Sequence, residues 1–306
     1  MIEFPVRTTP FTSDEFRPAP GSVYIYSPGS EPRTQIGRAW SGIIVTQQDR
    51  YSVLIDGPDP AVMSLRDRGP LEAWLQTMST QIVYLDITGM SYSLWAPFLK
   101  TALSVVPKLR IVYVEPADYR RTLSPAGSAE IFDLSQMIEG IDPLLGFARL
   151  SVDDEMPYVF VPLLGFEGAR VLHFVESLEL EGSGISPIIP VPGFRCEYPS
   201  LTVVCNREFI EGTECWADFV YAPADDPFAV FRTLKQLHKR NTAALLKVAL
   251  AGTKPHALGA VLFAILFPGA IELIYDHPIS RPDRTSGVDK ILIYDLANFA
   301  LENGTL

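Results

Sequence analysis

The chain has 306 residues, of which 47% are hydrophobic and 20% are charged, and its formal net charge is −11. This composition excludes a disordered chain and indicates a folded protein with a large core. The acidic total argues against nonspecific nucleic-acid binding, because such binding requires clustered lysines and arginines that neutralise phosphates.

The first part of the chain contains short strand-like segments. The segments 42–46 and 51–55 flank a polar Gln-Gln-Asp-Arg turn and predict a β-hairpin, and 22–26 is a further strand. A helix is expected at 71–78. We therefore expect residues 1–60 to form a β-rich N-terminal extension that contains the hairpin.

From residue 80 onward, short β-branched or aromatic runs alternate with helical segments. The predicted strands are 82–85, 110–114, 158–164, 188–191, 218–221, 245–250, 272–275 and 290–294. The predicted helices are 95–105, 169–177, 227–238 and 255–267. This alternation predicts an α/β fold: a mostly parallel Rossmann-like sheet with helices on both faces.

Three regions follow from this pattern. Residues 1–60 are the β-rich extension, 61–150 a first α/β unit, and 151–306 a second α/β unit that carries a Gly-Thr-Lys-Pro-His turn. The polar region 123–156 connects the two α/β units. The alternative is one continuous domain.

The turn after the strand at 245–250 has the sequence expected at the start of a helix. Thr253 is a good N-cap, and Pro255 suits a first helical turn, where a missing N–H costs nothing. Free N–H groups and the helix dipole then point at the turn, beside Lys254, and favour an anion. The alternative is an ordinary strand-to-helix connection with a solvated lysine.

Polar residues follow most of the predicted strands. They are Asp86, Thr88, Glu167, Arg170, Arg195, Glu197, Asp225, Asp226, Lys254, His256, Asp276, His277, Arg281 and Arg284. Ligands of open α/β sheets bind beyond the carboxyl ends of the strands, and five of these residues are cations, so an anionic ligand accounts for the set. The alternative is ion pairing with Glu167, Glu197 and Asp276.

The standard catalytic and nucleotide motifs are absent. The sequence contains no Walker A motif, no G-x-G-x-x-G after a strand, no G-x-S-x-G and no zinc-type histidine spacing. His256 and His277 each adjoin a proline at a strand end, where a histidine is either a general base or a hydrogen-bonding residue. Asp86 either contacts a ribose hydroxyl or a water, or it caps, with Thr88, the helix around Leu94.

The three cysteines, Cys196, Cys205 and Cys215, form no CxxC pair and have no histidine near them, so we expect reduced thiols and no metal site. Residues 1–5 lack the basic start of a signal peptide. The longest apolar stretch, 257–267, is too short to cross a bilayer. These features predict a cytoplasmic protein that does not contact membranes.

Two short motifs resemble a known family. LAGTK at 250–254, between a strand and a helix, resembles the glycine-threonine-lysine turn of CARF-type Rossmann-like domains, the cyclic-oligonucleotide sensors of prokaryotic immunity. VYLDITG at 83–89 resembles their strand-end loop. The chain lacks a second glycine before Gly252, carries Pro-His after Lys254, and shows no separable nuclease, HEPN-like or transmembrane effector. The resemblance implies a pocket for a nucleotide-like anion and a ligand-sensing role in antiviral defence.

The sequence thus predicts a binding protein for a phosphate-bearing nucleotide or a similar anionic metabolite. Lys254, Arg195 and Arg284 contact the anion in this interpretation, and Asp86 contacts a sugar hydroxyl. The predicted ligand-binding residues are Asp86, Thr88, Arg170, Arg195, Gly252, Thr253, Lys254, His256 and Arg284.

Two other interpretations stay open. One is a nucleotide hydrolase or transferase that uses Asp86, Glu167 or His277 as acid or base. The other is a non-catalytic subunit whose apolar surface meets a protein partner. The sequence identifies no cofactor.

Overall fold

The structure is a computed structural model, and it describes residues 7–57, 59–123, 130–132, 134–148, 156–178 and 184–304. These residues form a mixed α/β protein with two main sheets, so the α/β class predicted from the sequence is confirmed.

The described strands are, in chain order, β1 (Thr8–Thr12), β2 (Val23–Tyr26), β3 (Ile43–Gln47), β4 (Ser52–Asp56), β5 (Ala61–Ser64), β6 (Val83–Asp86), β7 (Leu109–Val114), β8 (Asp118–Tyr119), β9 (Arg121–Leu123), β10 (Glu130–Phe132), β11 (Ser135–Ile138), β12 (Tyr158–Leu163), β13 (Gly184–Ile185), β14 (Ile188–Pro190), β15 (Val220–Ala222), β16 (Leu245–Leu250), β17 (Ile271–Ile274), β18 (Pro278–Ser280), β19 (Thr285–Ser286) and β20 (Lys290–Asp295).

The described α-helices are α1 (Arg68–Gln76), α2 (Tyr92–Val105), α3 (Gly168–Leu178), α4 (Tyr198–Cys205), α5 (Arg207–Thr213), α6 (Pro227–Arg240), α7 (Lys254–Leu266) and α8 (Phe299–Asn303). Short 3-10 helices lie at Pro32–Thr34, Ile36–Trp40 and Cys215–Asp218. The strands and helices predicted from the sequence each have an observed counterpart.

The chain divides into two compact units. The first comprises Met1–Tyr119 together with Thr285–Thr305, and the second comprises Arg120–Arg284. The predicted spans 1–60, 61–150 and 151–306 place the divisions elsewhere, because the sequence gives no sign that the last strand returns to the first unit.

The first unit contains an eight-stranded sheet in the order β1-β20-β7-β6-β2-β3-β4-β5. Its four central strands, β7, β6, β2 and β3, pair in parallel. The strands at both margins pair antiparallel, among them the predicted hairpin of β3 and β4. This sheet is therefore mixed, where the sequence predicted a mostly parallel one. Residues 1–60 supply β1 to β4 of it and do not form a separate extension.

The second unit contains a sheet in the order β15-β14-β12-β16-β17, with β13 also beside β12, and every pairing in it is parallel. The strands β12 and β16 are buried at nearly every position, as expected for strands that are covered on both faces. Helix α3 lies between β12 and β13, α6 between β15 and β16, and α7 between β16 and β17.

Helix α7 is the most completely buried helix of the second unit. Its side chains are apolar around the whole helix, and residues 255–264 are all buried. Gly259 allows a close approach to α6, because a Cβ at this position would overlap the carbonyl oxygen of Pro227 and lie 2.8 Å from Cβ of Val230. Burial of each large side chain such as Leu262 contributes roughly 1.5–3 kcal/mol, so α7 anchors this sheet.

Candidate functional site

The strand order of the second unit marks one position at the carboxyl edge of its sheet. Counted in chain order, the strands β12, β14, β15, β16 and β17 run 3-2-1-4-5 across the sheet. The chain therefore builds outward from β12 in one direction and then continues with β16 on its other side. Open α/β sheets bind ligands at such a point, beyond the carboxyl ends of the two strands where the order reverses.

Two glycine turns meet at this point. A Cβ on Gly165, after β12, would overlap the carbonyl oxygen of Ala251, after β16. A Cβ on Gly252 would lie 3.1 Å from the carbonyl oxygens of both Leu163 and Leu164. Only glycine lets the two turns pack this closely. The sequence singled out Gly252 as a turn residue, and the structure adds that it packs against the end of β12.

Helix α7 begins as the sequence predicted. Thr253 is its N-cap and accepts a hydrogen bond from the N–H of His256 at 3.2 Å. The hydroxyl of Thr253 donates to the carbonyl oxygen of Ala224 at 3.0 Å, so its proton is used within the protein. Lys254 is the first residue of α7 and is half-buried, directly after the Gly252 turn.

His256 belongs to the core. It is fully buried, and its Nε2 lies 2.9 Å from the carbonyl oxygen of Pro223. Burial lowers the pKa of His256 to about 4. The contact with Pro223 matches the alternative of a hydrogen-bonding residue, and the ligand-binding role of His256 stays a prediction that its burial disfavours.

Arg170 is held inside the second unit by an ion pair. Its Nε donates to Asp276 at 2.7 Å and its Nη2 donates to the other carboxylate oxygen at 2.5 Å. Nη2 also lies 3.3 Å from the carbonyl oxygen of Leu250. Burial lowers the pKa of Arg170, but the hydrogen bonds and charge of Asp276 outweigh it, so the pKa is raised. Arg170 therefore makes the ion pair with Asp276 that the sequence offered as an alternative, and its role as a ligand contact stays a prediction.

Glu167 and His277 both hold one segment of the chain, residues 134–142, which we call the strap. Glu167 accepts hydrogen bonds from the N–H of Leu134 at 3.2 Å and from the hydroxyl of Ser135 at 3.0 Å. Nε2 of His277 lies 3.2 Å from the carbonyl oxygen of Asp142. These contacts give both residues a positioning role, and nothing in them supports the predicted catalytic role.

The strap extends along the carboxyl edge of the sheet. Its first residue, Leu134, is hydrogen-bonded to Glu167 in the turn after β12. Strand β11, which lies within the strap, pairs antiparallel with β18, the strand that follows β17. At the other end of the strap, the N–H of Gly140 donates to the backbone carbonyl oxygen of Asp276 at 3.4 Å, and the N–H of Asp142 donates to that of Tyr275 at 3.2 Å. Because β16 lies between β12 and β17, the strap spans the end of β16.

Arg195 follows β14 at the same edge of the sheet as Lys254, with β12 between their two strands. Its guanidinium carbon lies 5.7 Å from the ring centre of Tyr198, and that ring packs edge-on against Phe166 at 5.0 Å. The aromatic pair connects Arg195 to the turn after β12. Arg195 and Lys254 therefore both follow strands that end at the carboxyl edge of this sheet.

Arg284 lies at the end of the second unit, where its carbonyl oxygen accepts a hydrogen bond from the N–H of Arg120 at 2.8 Å. Its proposed contact with an anion stays a prediction. Arg281 is another of the five cations named in the sequence analysis. Its backbone N–H donates to the carbonyl oxygen of Leu134 at 2.9 Å.

Asp86 and Thr88 belong to the first unit and stabilise its own sheet. The buried carboxylate of Asp86 accepts from the hydroxyl of Tyr24 at 2.7 Å and from the N–H of Thr88 at 2.8 Å. Burial, and then the charge of Asp86, raise the pKa of Tyr24. Ser91, and not Asp86 or Thr88, caps helix α2. Their predicted ligand contacts stay predictions, and the site described above contains neither.

Asn206 and Ser135 are site residues that the sequence analysis missed. Asn206 is buried between α4 and α5, and its Nδ2 donates to the carbonyl oxygens of Gly165 at 2.7 Å and Thr202 at 2.8 Å. It therefore fixes the turn after β12. Neither residue lies in a recognisable motif, since the contacts that place them at the site, with Gly165 and Glu167, join parts of the chain that are far apart in sequence.

Within the described residues, no helix is both long and apolar enough to cross a membrane, and no group of histidine, cysteine and acidic residues is placed to hold a metal ion. A comparison of the chain with protein-family models, with curated proteins and with solved structures finds no match in any of the three.

Proposed function

We propose that the protein binds a phosphate-bearing nucleotide or a similar anionic metabolite at the carboxyl edge of the second unit. The observation that carries this proposal is the meeting of the Gly165 and Gly252 turns where the strand order reverses, with α7 starting at Lys254. Backbone N–H groups of a glycine turn, a helix N-terminus and a lysine together form a favourable environment for phosphate.

The proposed anion contacts are Lys254, Arg195 and the backbone of Gly252. Arg170 and His256 are excluded from this set because their polar groups are used within the protein. The parallel order 3-2-1-4-5 supports the interpretation of the second unit as a Rossmann-like sheet. The resemblance to CARF-type domains extends the proposal to a cyclic oligonucleotide as ligand and to a role as a sensor in antiviral defence.

Isothermal titration calorimetry with adenosine 5′-monophosphate, inorganic phosphate and a cyclic oligoadenylate tests this function. Lys254→Ala is expected to weaken binding roughly 10- to 100-fold, because a charge-assisted contact contributes about 1.5–3 kcal/mol. Lys239→Ala, at an exposed position in the last turn of α6, is the matched control and leaves affinity unchanged. Unchanged affinity in Lys254→Ala, with a normal melting temperature, would contradict the assignment.

A non-catalytic subunit is the second candidate. Trp216 and Tyr221 of the second unit are 54% and 59% exposed, and large exposed aromatic side chains occur often at protein interfaces. Co-purification with a partner at fixed stoichiometry, without stabilisation by any of the three anions, would favour this candidate over the anion-binding protein.

A further inference from the structure

The strap, residues 134–142, has an unusual pattern of burial. None of its residues is buried, and Met137 is 56% exposed. The side chains that flank it, Phe132 at 4% exposure and Leu144 at 0%, are held in the core. Ile141 packs, half-buried, against the core of the second unit, and hydrogen bonds hold the rest of the strap between two points that are anchored by apolar burial.

The hydrogen bonds of the strap come from the two strand ends that flank β16. Glu167, after β12, accepts from Leu134 and Ser135 at 3.2 and 3.0 Å. On the other side, His277 donates from Nε2 to the carbonyl oxygen of Asp142 at 3.2 Å. His277 also has a left-handed backbone, with φ at 46°, which is uncommon for a residue other than glycine.

We infer that the strap opens and closes as one unit over the end of β16 and thereby controls access to the anion site. Segments with few buried apolar contacts open locally at a free energy far below that of global unfolding, and they open cooperatively between fixed points. The strap meets both conditions, whereas β12 and β16 beneath it are buried at nearly every position. The control of access to the anion site rests on the proposed function, whereas the opening of the strap does not depend on it.

Glu167 connects the strap to the interior of the second unit. The same carboxylate oxygen that accepts from Ser135 lies 3.5 Å from Nη1 of Arg170, which is paired with Asp276. The strap, the turn after β12 and the turn after β17 are therefore joined through one buried guanidinium. Opening the strap breaks the contacts of Glu167 with Leu134 and Ser135 and leaves the Arg170–Asp276 pair in place.

Hydrogen exchange of the full chain, read by mass spectrometry, tests the opening without any ligand. The amides of the strap are expected to exchange as one block, at least tenfold faster than those of β12 and β16. Ser135→Ala removes one tether and is expected to speed exchange of the strap about fivefold, the effect of one hydrogen bond. Met137→Ala truncates an exposed side chain and keeps the backbone pairing of β11 with β18, so it is the control and leaves the rate unchanged.

Two results would overturn the opening. Strap amides that exchange only as slowly as those of β16 would show that they open by global unfolding. Strap amides that exchange like those of an unstructured peptide would show that the strap is not closed at all.

Stopped-flow binding of a fluorescent adenosine 5′-monophosphate analogue tests control of access. Ser135→Ala is expected to raise both the association and the dissociation rate about fivefold, with Kd changed less than twofold. Unchanged rates, with normal affinity, would overturn the control of access while leaving the proposed function standing. Absence of binding in the unsubstituted protein would instead remove the proposed function and, with it, this control of access, and the exchange measurement would still decide the opening.

Discussion

The two units of the molecule each bury one arginine at the carboxyl ends of parallel strands, but they pair it in different ways. In the first unit, Nε of Arg33 donates to Glu31, two residues earlier, at 2.8 Å, and Nη1 donates to the carbonyl oxygen of Val114 at 2.8 Å. In the second unit, Arg170 pairs with Asp276, which is 106 positions away. The first ion pair joins residues that are 2 positions apart in the chain, whereas the second joins residues that are 106 positions apart.

The difference extends to the carboxylates around each arginine. Glu31 accepts, besides Arg33, the hydroxyl of Thr285, and both contacts lie within the first unit. Arg170 is approached by two carboxylates, Asp276 and Glu167, and Glu167 also holds the strap. Glu31 and Arg33 hold the turn after β2 to the end of β7 and to Thr285. Arg170 and Glu167 hold the turn after β12 to the turn after β17 and to the strap, none of whose residues is buried.

The largest expected effect comes from leaving Arg170 without its partner. Asp276→Ala is expected to lower the free energy of unfolding by about 3–5 kcal/mol, because it leaves a buried charge uncompensated. Urea denaturation measures this loss. The double variant Arg170→Met with Asp276→Leu should recover most of the stability, since it removes both charges. A single variant within about 1 kcal/mol of the unsubstituted protein would show that Glu167 replaces Asp276 as the partner.

The next effect is a pH dependence of stability that histidines contribute to the second unit alone, because all four histidines of the sequence lie in that unit. Burial lowers the pKa of His256 from 6.5 to about 4, so between these values the unfolded state binds more protons than the folded state. Stability contributed by His256 is therefore complete above pH 6.5 and is lost as the pH falls towards 4. The size of this change is on the order of 3 kcal/mol.

Thermal unfolding followed from pH 4 to pH 7 checks this prediction. The variant His256→Gln should lose most of the pH dependence in this window. A dependence of the same size in that variant would assign it to groups other than His256 and would weaken the contrast between the units.

How much of this could be read from the sequence depends on the distance over which each interaction acts. The helices were predictable because their signals are local: Thr253 and Asp226 cap α7 and α6 at the expected positions. The burial of His256 was also foreseeable, since it lies in the first turn of a helix with apolar residues on every side. His256 was considered as a base because it adjoins a proline at a strand end, whereas the apolar pattern of the helix indicated a buried side chain.

The sequence left open whether Arg170 contacts an anionic ligand or pairs with a carboxylate, and it did not decide which carboxylate. Arg170 and Arg195 each follow a strand by a few residues, and only the position of β17 beyond β16 brings Asp276 to one of them. The strap lies in the region 123–156, which was predicted to be a connector. Its hydrogen bonds involve largely backbone groups, so no sequence motif marks them. The return of β20 to the first sheet had no local signal either.

A smaller effect compares equivalent glycines in the two units. A Cβ on Gly89 would overlap the carbonyl oxygen of Ser27, and one on Gly165 would overlap that of Ala251. Alanine at either position is expected to cost about 1–3 kcal/mol through overpacking. Only Gly165→Ala should also weaken the binding of adenosine 5′-monophosphate, because it displaces the Gly252 turn. Equal affinities in the two variants would contradict the placement of the site at this turn.

The smallest effect concerns Asp86, and it tests whether a substitution in the first unit alters affinity for the ligand. Its carboxylate is occupied by the hydroxyl of Tyr24 and the N–H of Thr88, at 2.7 and 2.8 Å. Asp86→Asn keeps the shape of the side chain but weakens both hydrogen bonds, so we expect a loss of about 1–2 kcal/mol in the free energy of unfolding. Calorimetric affinity for adenosine 5′-monophosphate should stay within twofold of the unsubstituted protein, because the proposed anion contacts all lie in the second unit. A tenfold loss of affinity with intact stability would instead make Asp86 a ligand contact and would contradict the placement of the anion site in the second unit.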